Sequence, residues 1–126
     1  MDGQDLLTQY AQGIRQFTKA QLSGALLFNT KLSFANFSFA DLSYADLRGT
    51  DLFGCNLSWA NFQHANLGGV NLGRTNLRGA KLFHTDLRNA NLQGAQLEGA
   101  FFDDTTLFPE EINRKLPKKH NFHKTD

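Results

Sequence analysis

Ala40-Asp41-Leu42-Ser43-Tyr44, Ala45-Asp46-Leu47-Arg48-Gly49 and Thr50-Asp51-Leu52-Phe53-Gly54 are three copies of one five-residue unit. Counted outward from them, Leu or Phe returns at every fifth position from Leu22 to Leu107, eighteen times, with Phe37, Phe62 and Phe102 the only replacements for Leu. A fixed period of this kind dictates architecture and is read before any local propensity. Five fits neither regular element. Steps of five advance about 140° on a helix and would scatter the Leu residues round it, while on a strand they would alternate faces. The chain must therefore bend once per unit so that each Leu points inward again.

If each bend is about a right angle, four units close a square coil of 20 residues, and coils stack as parallel strands about 4.8 Å apart. The remaining positions agree. Two residues before each inward Leu or Phe, eleven of eighteen sites are Ala and five are Thr, with Cys55 and Val70 the rest, so only small side chains enter beside the Leu row. The position just before it is Asn or Asp at eleven of eighteen sites, and the two after it are mostly Ser, Gly, Arg, Gln or Asn. Such residues tolerate left-handed backbone or hydrogen-bond their own chain, and they read as outward turn positions.

Outside the repeat, Asp2 to Gln12 reads as a short amphipathic helix with Leu6, Leu7, Tyr10 and Ala11 on one face. Asp2 is its expected N-cap, with Asp5 in the first turn and Gly13 as its stop. So short a helix is marginal alone and is expected to lie on the open first coil. After Ala100 the repeat decays. Phe101 and Phe102 replace the polar-Leu pair, Pro109 ends the pattern, and Glu110 to Leu116 is expected to form a short helix with Ile112 and Leu116 facing the last coil. From Pro109 onward the chain carries a net +2, a basic tail.

The units Ala45-Asp46-Leu47, Ala65-Asn66-Leu67 and Ala90-Asn91-Leu92 resemble the pentapeptide-repeat family. The opening Leu6-Leu7-x-x-Tyr10-x-x-Gly13-x-Arg15-x-Phe17 is similar to the helical leader of many cyanobacterial members. The resemblance implies an all-β solenoid, a right-handed quadrilateral β-helix of about four and a half coils. It divides the chain into an N-terminal capping helix and lead-in (1–19), the β-helix (20–108) and a C-terminal cap with basic tail (109–126). Pattern residues in such a fold are structural, so the resemblance carries over no catalytic or binding residue.

With 126 residues and a net charge of +1, the chain suits one domain without a field that would steer nucleic acid. No apolar run approaches the length of a membrane span, and the polar start Met1-Asp2-Gly3-Gln4-Asp5 makes the cytoplasm the expected compartment. There is no Gly-rich phosphate loop, nucleophile elbow or paired-Cys spacing. Cys55, at a small inward position, is expected to be an inert core thiol. The reading is of a non-enzymatic structural or protein-binding module with no cofactor, its partner and oligomeric state undetermined. The alternative is a DNA-mimic inhibitor of DNA gyrase, as in the best understood branch of the family. Mimicry needs dense negative charge, and between Gln21 and Phe108 seven acidic residues face six basic ones.

Function in a solenoid would sit in surface columns, residues 20 apart. Phe39 and Trp59 fall in one column, with Phe34 and Tyr44 on adjacent corners, and these four form the candidate partner-binding patch. The competing explanation is a stacking ladder that serves only the fold. A second column holds Tyr44, His64, His84 and Asp104; His64 and His84 would stand about 5 Å apart, close enough to share a metal, but a straight column does not converge on one ion as ligands must, so these read as exposed side chains stacked by the coil spacing and no metal site is assigned. Asn36, Asn56, Asn76 and Gln96 form an amide column, and Asp41, Asp46 and Asp51 lie on three successive faces; both read as turn-forming rather than chemical.

Overall fold

Each five-residue unit brings five backbone N–H groups that must find partners. In the unit Asn56–Ala60 three of them bond to neighbouring coils: Asn56 to the Ala35 carbonyl (3.1 Å), Leu57 to that of Asn76 (2.8 Å) and Trp59 to that of Arg78 (2.9 Å). Ala60 closes the turn on the Leu57 carbonyl at 3.1 Å. The fifth, on Ser58, is taken by the Asn56 side-chain oxygen at 3.0 Å. All eleven Asn or Asp residues at that position, from Asn36 to Asn91, accept the N–H two residues on in the same way. The preference for Asn and Asp before the inward residue is thus a backbone requirement.

The computed structural model describes residues 1–115 and 123–124. Parallel bridges join residues 20 apart, beginning at Gln16 with Asn36 and running to Lys81 with Phe101. This is the square stack that the period demands. The Leu and Phe row fills the interior, and the small residues, among them Ala35, Ala60, Val70 and Ala80, are buried beside it. Phe17, one unit ahead of Leu22, is already inside and stacks on Phe37 with centroids 5.4 Å apart. The buried Thr hydroxyls reach inward carbonyls: Thr50 donates to Leu27 and Thr85 to Phe62, each 23 residues back.

At the N-terminal end, helix α1 (Gly3–Ala11) is closed by a capping box between Asp2 and Asp5 and ends at Gly13, whose φ of 95° is a left-handed stop. Leu6 is fully buried and Leu7 and Tyr10 pack on the core, whereas Ala11, expected on that face, is exposed. Gly3 lies so near the first coil that a Cβ would come within 2.8 Å of the Leu26 carbonyl oxygen. Tyr10 donates to the Ser33 carbonyl at 2.8 Å, and the Arg15 guanidinium covers its ring at 3.5 Å. The helix therefore acts as a lid on the first coil.

At the other end, the expectation that Leu107 continues the inward row is corrected. Thr106 and Phe108 are buried and Leu107 projects outward, bridging Asp86 across 21 residues instead of 20. One extra residue enters the turn after Phe102, which closes from the Thr106 N–H to the Asp103 carbonyl at 3.1 Å. The slip lets the Thr106 hydroxyl reach the Leu82 carbonyl at 2.7 Å. It also sets Phe108 edge-on to Phe102 at 5.3 Å, so a larger ring fills the open end of the core. After Pro109, helix α2 (Glu110–Lys115) lays Ile112 against the core. Strand β1 (Phe101–Phe102) pairs in parallel with β2 (His123–Lys124). The expected contact of Leu116 and the character of the basic tail lie outside the described residues.

Cys55 is buried in the row of small residues, where its thiol points at the Leu32 carbonyl, 3.1 Å away. Burial pushes the thiol up to about 12. It is therefore protonated and unreactive in the fold, as its inward position implies.

Leu67→Lys places an unpaired charge in the core and should prevent folding, whereas Gln63→Lys, one unit earlier on the outside, should melt within about 0.5 kcal/mol of wild type; equal effects in thermal melts would refute the inward assignment. For Cys55, the unfolded thiol ionises above about pH 9 while the folded one stays neutral, so its contribution to stability is lost as pH rises. Between pH 8.5 and 10.5, wild type should lose about 2 kcal/mol relative to Cys55→Ala in urea unfolding.

Candidate functional site

The second residue after each inward one carries the bend, and at every such position from Lys19 to Gly99 φ is positive. A positive φ at the third residue of a four-residue turn suits Gly, and a residue with a Cβ pays a steric penalty there. Phe34, Phe39, Tyr44, Trp59, His64 and His84 nevertheless occupy these corners. Their side chains project from a rigid, repeating backbone.

All four candidate patch residues are exposed: Phe34 66%, Phe39 53%, Tyr44 64% and Trp59 51%. Phe39 and Trp59 stack one coil apart, 6.4 Å between centroids and 10° between planes. Tyr44 stands on the next corner and stacks on His64 at 4.7 Å, and His64 stacks on His84 at 4.5 Å and 5°. Phe34, on the preceding corner, meets Phe53 edge-on at 5.7 Å. The four thus occupy three successive corners of the solenoid. Phe39–Trp59 and Tyr44–His64–His84 form the two borders of one face, whose middle holds Asp41, Asn61 and Lys81.

That face gains two aromatics that the column reading overlooked. Phe101, next after Lys81 in the middle column of the face, lies 6.5 Å from both the Trp59 ring and the Phe83 ring and makes the C-terminal part of the face aromatic. A sequence signal for this existed. Gly79 follows Trp59 by one coil, and a Cβ there would come within 2.5 Å of the indole, so the ring lies across the glycine toward Phe101. Phe34 covers Gly54 and Phe53 covers Gly73 in the same manner.

The other polar columns are occupied by the fold. In the amide column, Asn36, Asn56 and Asn76 turn their oxygens to their own chains. Asp41 and Asp51 do likewise. Asp46 and Asp86 also hold the guanidinium groups of Arg48 and Arg88 at 2.7 and 2.9 Å. The hydrogen bond from Arg48 lowers the Asp46 carboxyl below its ordinary range, outweighing the opposing effect of burial, and Arg88 does the same for Asp86. In the His column, the extra residue near the C-terminal end breaks the regular spacing, and the Thr105 hydroxyl takes the His84 N–H at 2.8 Å. Among the described residues, no three His, Cys, Asp or Glu side chains are grouped to hold a metal, and no helix is long and apolar enough to cross a membrane.

Residues 20–58, 55–94 and 71–107 match the family described as Pentapeptide repeats (8 copies). Among solved structures, the chain is similar to the pentapeptide repeat protein Rfr23 of the cyanobacterium Cyanothece 51142, with a TM-score of 0.73 and 36% identity over 74% of this chain. It spans 63% of the length of that protein. A pentapeptide repeat protein of Nostoc PCC 7120 matches at 37% identity and a TM-score of 0.54, covering 98% of this chain and 96% of its own. A thylakoid-lumen pentapeptide repeat protein of Arabidopsis thaliana matches at 32% identity and a TM-score of 0.54, covering 66% of this chain and 61% of its own. No match was found among curated proteins. The five-residue period, the stacked bridges and these likenesses agree: the chain belongs to the pentapeptide-repeat family and has its right-handed quadrilateral β-helix.

Proposed function

We propose that this is a non-enzymatic protein-binding module whose contact surface is the face bordered by Phe39–Trp59 and Tyr44–His64–His84. One observation carries the reading: large rings sit half exposed at corners where the backbone favours Gly. A left-handed residue with a Cβ costs about 1–2 kcal/mol. An aromatic pair contributes about 0.5–1.5 kcal/mol beyond its buried area. The two are of the same size, so stacking alone gives folding little reason to prefer rings to Gly here. What the rings do supply is rigid apolar area at low rotamer entropy, the property of residues that dominate interfaces. The solenoid's backbone groups are committed to its ladder, which leaves binding rather than catalysis as the use of this face.

The gyrase-directed DNA mimic gains nothing from the surface. Two carboxylates of the rod, Asp46 and Asp86, are paired with Arg in their own turns, and a solenoid of about four and a half coils spans only about 20 Å at 4.8 Å per coil. The protein should leave gyrase supercoiling unchanged at stoichiometric amounts; clear inhibition would overturn this reading.

Trp59→Gly tests the surface directly. Gly suits the φ of 61° at this corner, so the variant should fold and melt within about 1 kcal/mol of wild type. Capture of a partner from the native host, read by mass spectrometry, should weaken. Unchanged capture together with a lowered melting temperature would reduce the rings to a ladder that serves the fold.

A further inference from the structure

The next face of the solenoid, whose middle column is Leu26, Asp46, Asn66, Asp86 and Leu107, adjoins the proposed contact surface only along the Tyr44–His64–His84 corner. Leu26 and Phe28 on it serve neither the turns nor the core. They are 70% and 53% exposed, and Met1, which lines the same hollow as Leu26, is exposed beside them. Leu26 stands where eleven of eighteen units place an Asn or Asp that accepts the N–H two residues on, and a leucine supplies no acceptor. On the second and fourth coils the same two columns hold the pairs Asp46–Arg48 and Asp86–Arg88, whose guanidinium groups are exposed. Between them lies Gly68, at a turn position whose φ does not call for glycine. We propose that this face binds the same face of a second copy of the chain, the two solenoids side by side with the twofold axis parallel to both.

Charge complementarity selects that arrangement. A twofold along the solenoid axis keeps each coil level with its own copy and reverses the direction across the face, so the residue before the inward one meets the residue after it. Asp46 then faces Arg48 of the second copy and Arg48 faces its Asp46, and Asp86 and Arg88 are matched likewise two coils further on. Each carboxylate keeps its own guanidinium, at 2.7 and 2.9 Å, and gains a second. At the first coil Leu26 meets Phe28 of the second copy, and four apolar side chains leave water together. The borders fit as well. Tyr44 and His64 raise one corner, Gly49 and Gly69 leave the opposite one low, and the reversal lays the high corner of each copy along the low corner of the other. An antiparallel pairing would instead set Asp46 against Asp86 and Arg48 against Arg88. The contact is isologous, so it closes at two copies.

The test is sedimentation equilibrium of the whole chain from micromolar to submillimolar concentration, which should show a reversible monomer–dimer equilibrium that weakens as added salt screens the exposed charges. Leu26→Asn gives the first coil the usual acceptor for the Phe28 N–H, so it should melt no lower than wild type while raising the dissociation constant of the dimer by about tenfold. Arg48→Glu, a residue that Glu98 supplies at the same turn position, sets two carboxylates against each other across the twofold and should leave the chain monomeric. Two variants on other faces should dimerise as wild type: Arg78→Glu, at that same turn position, and Trp59→Gly, on the far border of the proposed contact surface, whatever its effect on capture of a partner. A monomer at every concentration, an assembly that grows past two copies, an unchanged dissociation constant in Leu26→Asn, or loss of the dimer in Trp59→Gly would each overturn the proposal.

Discussion

Everything in this molecule depends on turning the chain through a left-handed conformation once every five residues. The bend sends each Leu or Phe back to the interior, and φ at the corners from Lys19 to Gly99 stays between 53° and 77° whatever residue is present. Ten of these corners are not Gly, so the conformation is imposed by the surrounding ladder rather than chosen by the residue. In an interior unit such as Asn56–Ala60, three of five N–H groups are bound to neighbouring coils, and one more closes the turn. A strained torsion persists when its surroundings over-determine it.

The same constraint divides the surface into committed and free positions. Asn and Asp side chains just before the inward residue are held by their own backbone, since the fifth N–H of their unit has no other partner in the ladder. Loss of that acceptor would leave a polar group unsatisfied at a cost of about 1–3 kcal/mol. The rows of Asn and Asp are therefore part of the fold. Corner side chains owe the backbone nothing beyond tolerating their φ, and rings or imidazoles placed there form columns at the coil spacing.

A solenoid has two ends where this logic stops. At the first coil, α1 fits because Gly3 allows close approach and Leu6 supplies the missing core contact. At the last, Phe108 packs edge-on to Phe102 and Ile112 closes on the core, while Leu92 and Leu97 remain only partly buried. An end with an uncovered coil exposes both core and unpaired strand edge. The caps differ because each must match whichever side of a coil it meets.

The inward row from Leu22 to Leu97, the small neighbours beside it, the turn role of Asn and Asp, the N-cap at Asp2 and the buried thiol were all legible in the residues, because a five-residue period admits one bending pattern and each follows from local chemistry. Tertiary structure alone decided the rest. Leu107 and Phe108 are both apolar and adjacent, and only the volume left at the open end selects Phe108 for the interior. The aromatic columns were visible as steps of twenty, but the lean of Trp59 across Gly79 to Phe101 is set by packing between coils. Period, being a property of the chain, is written in sequence; ring direction and end closure are set by contacts between residues tens of positions apart.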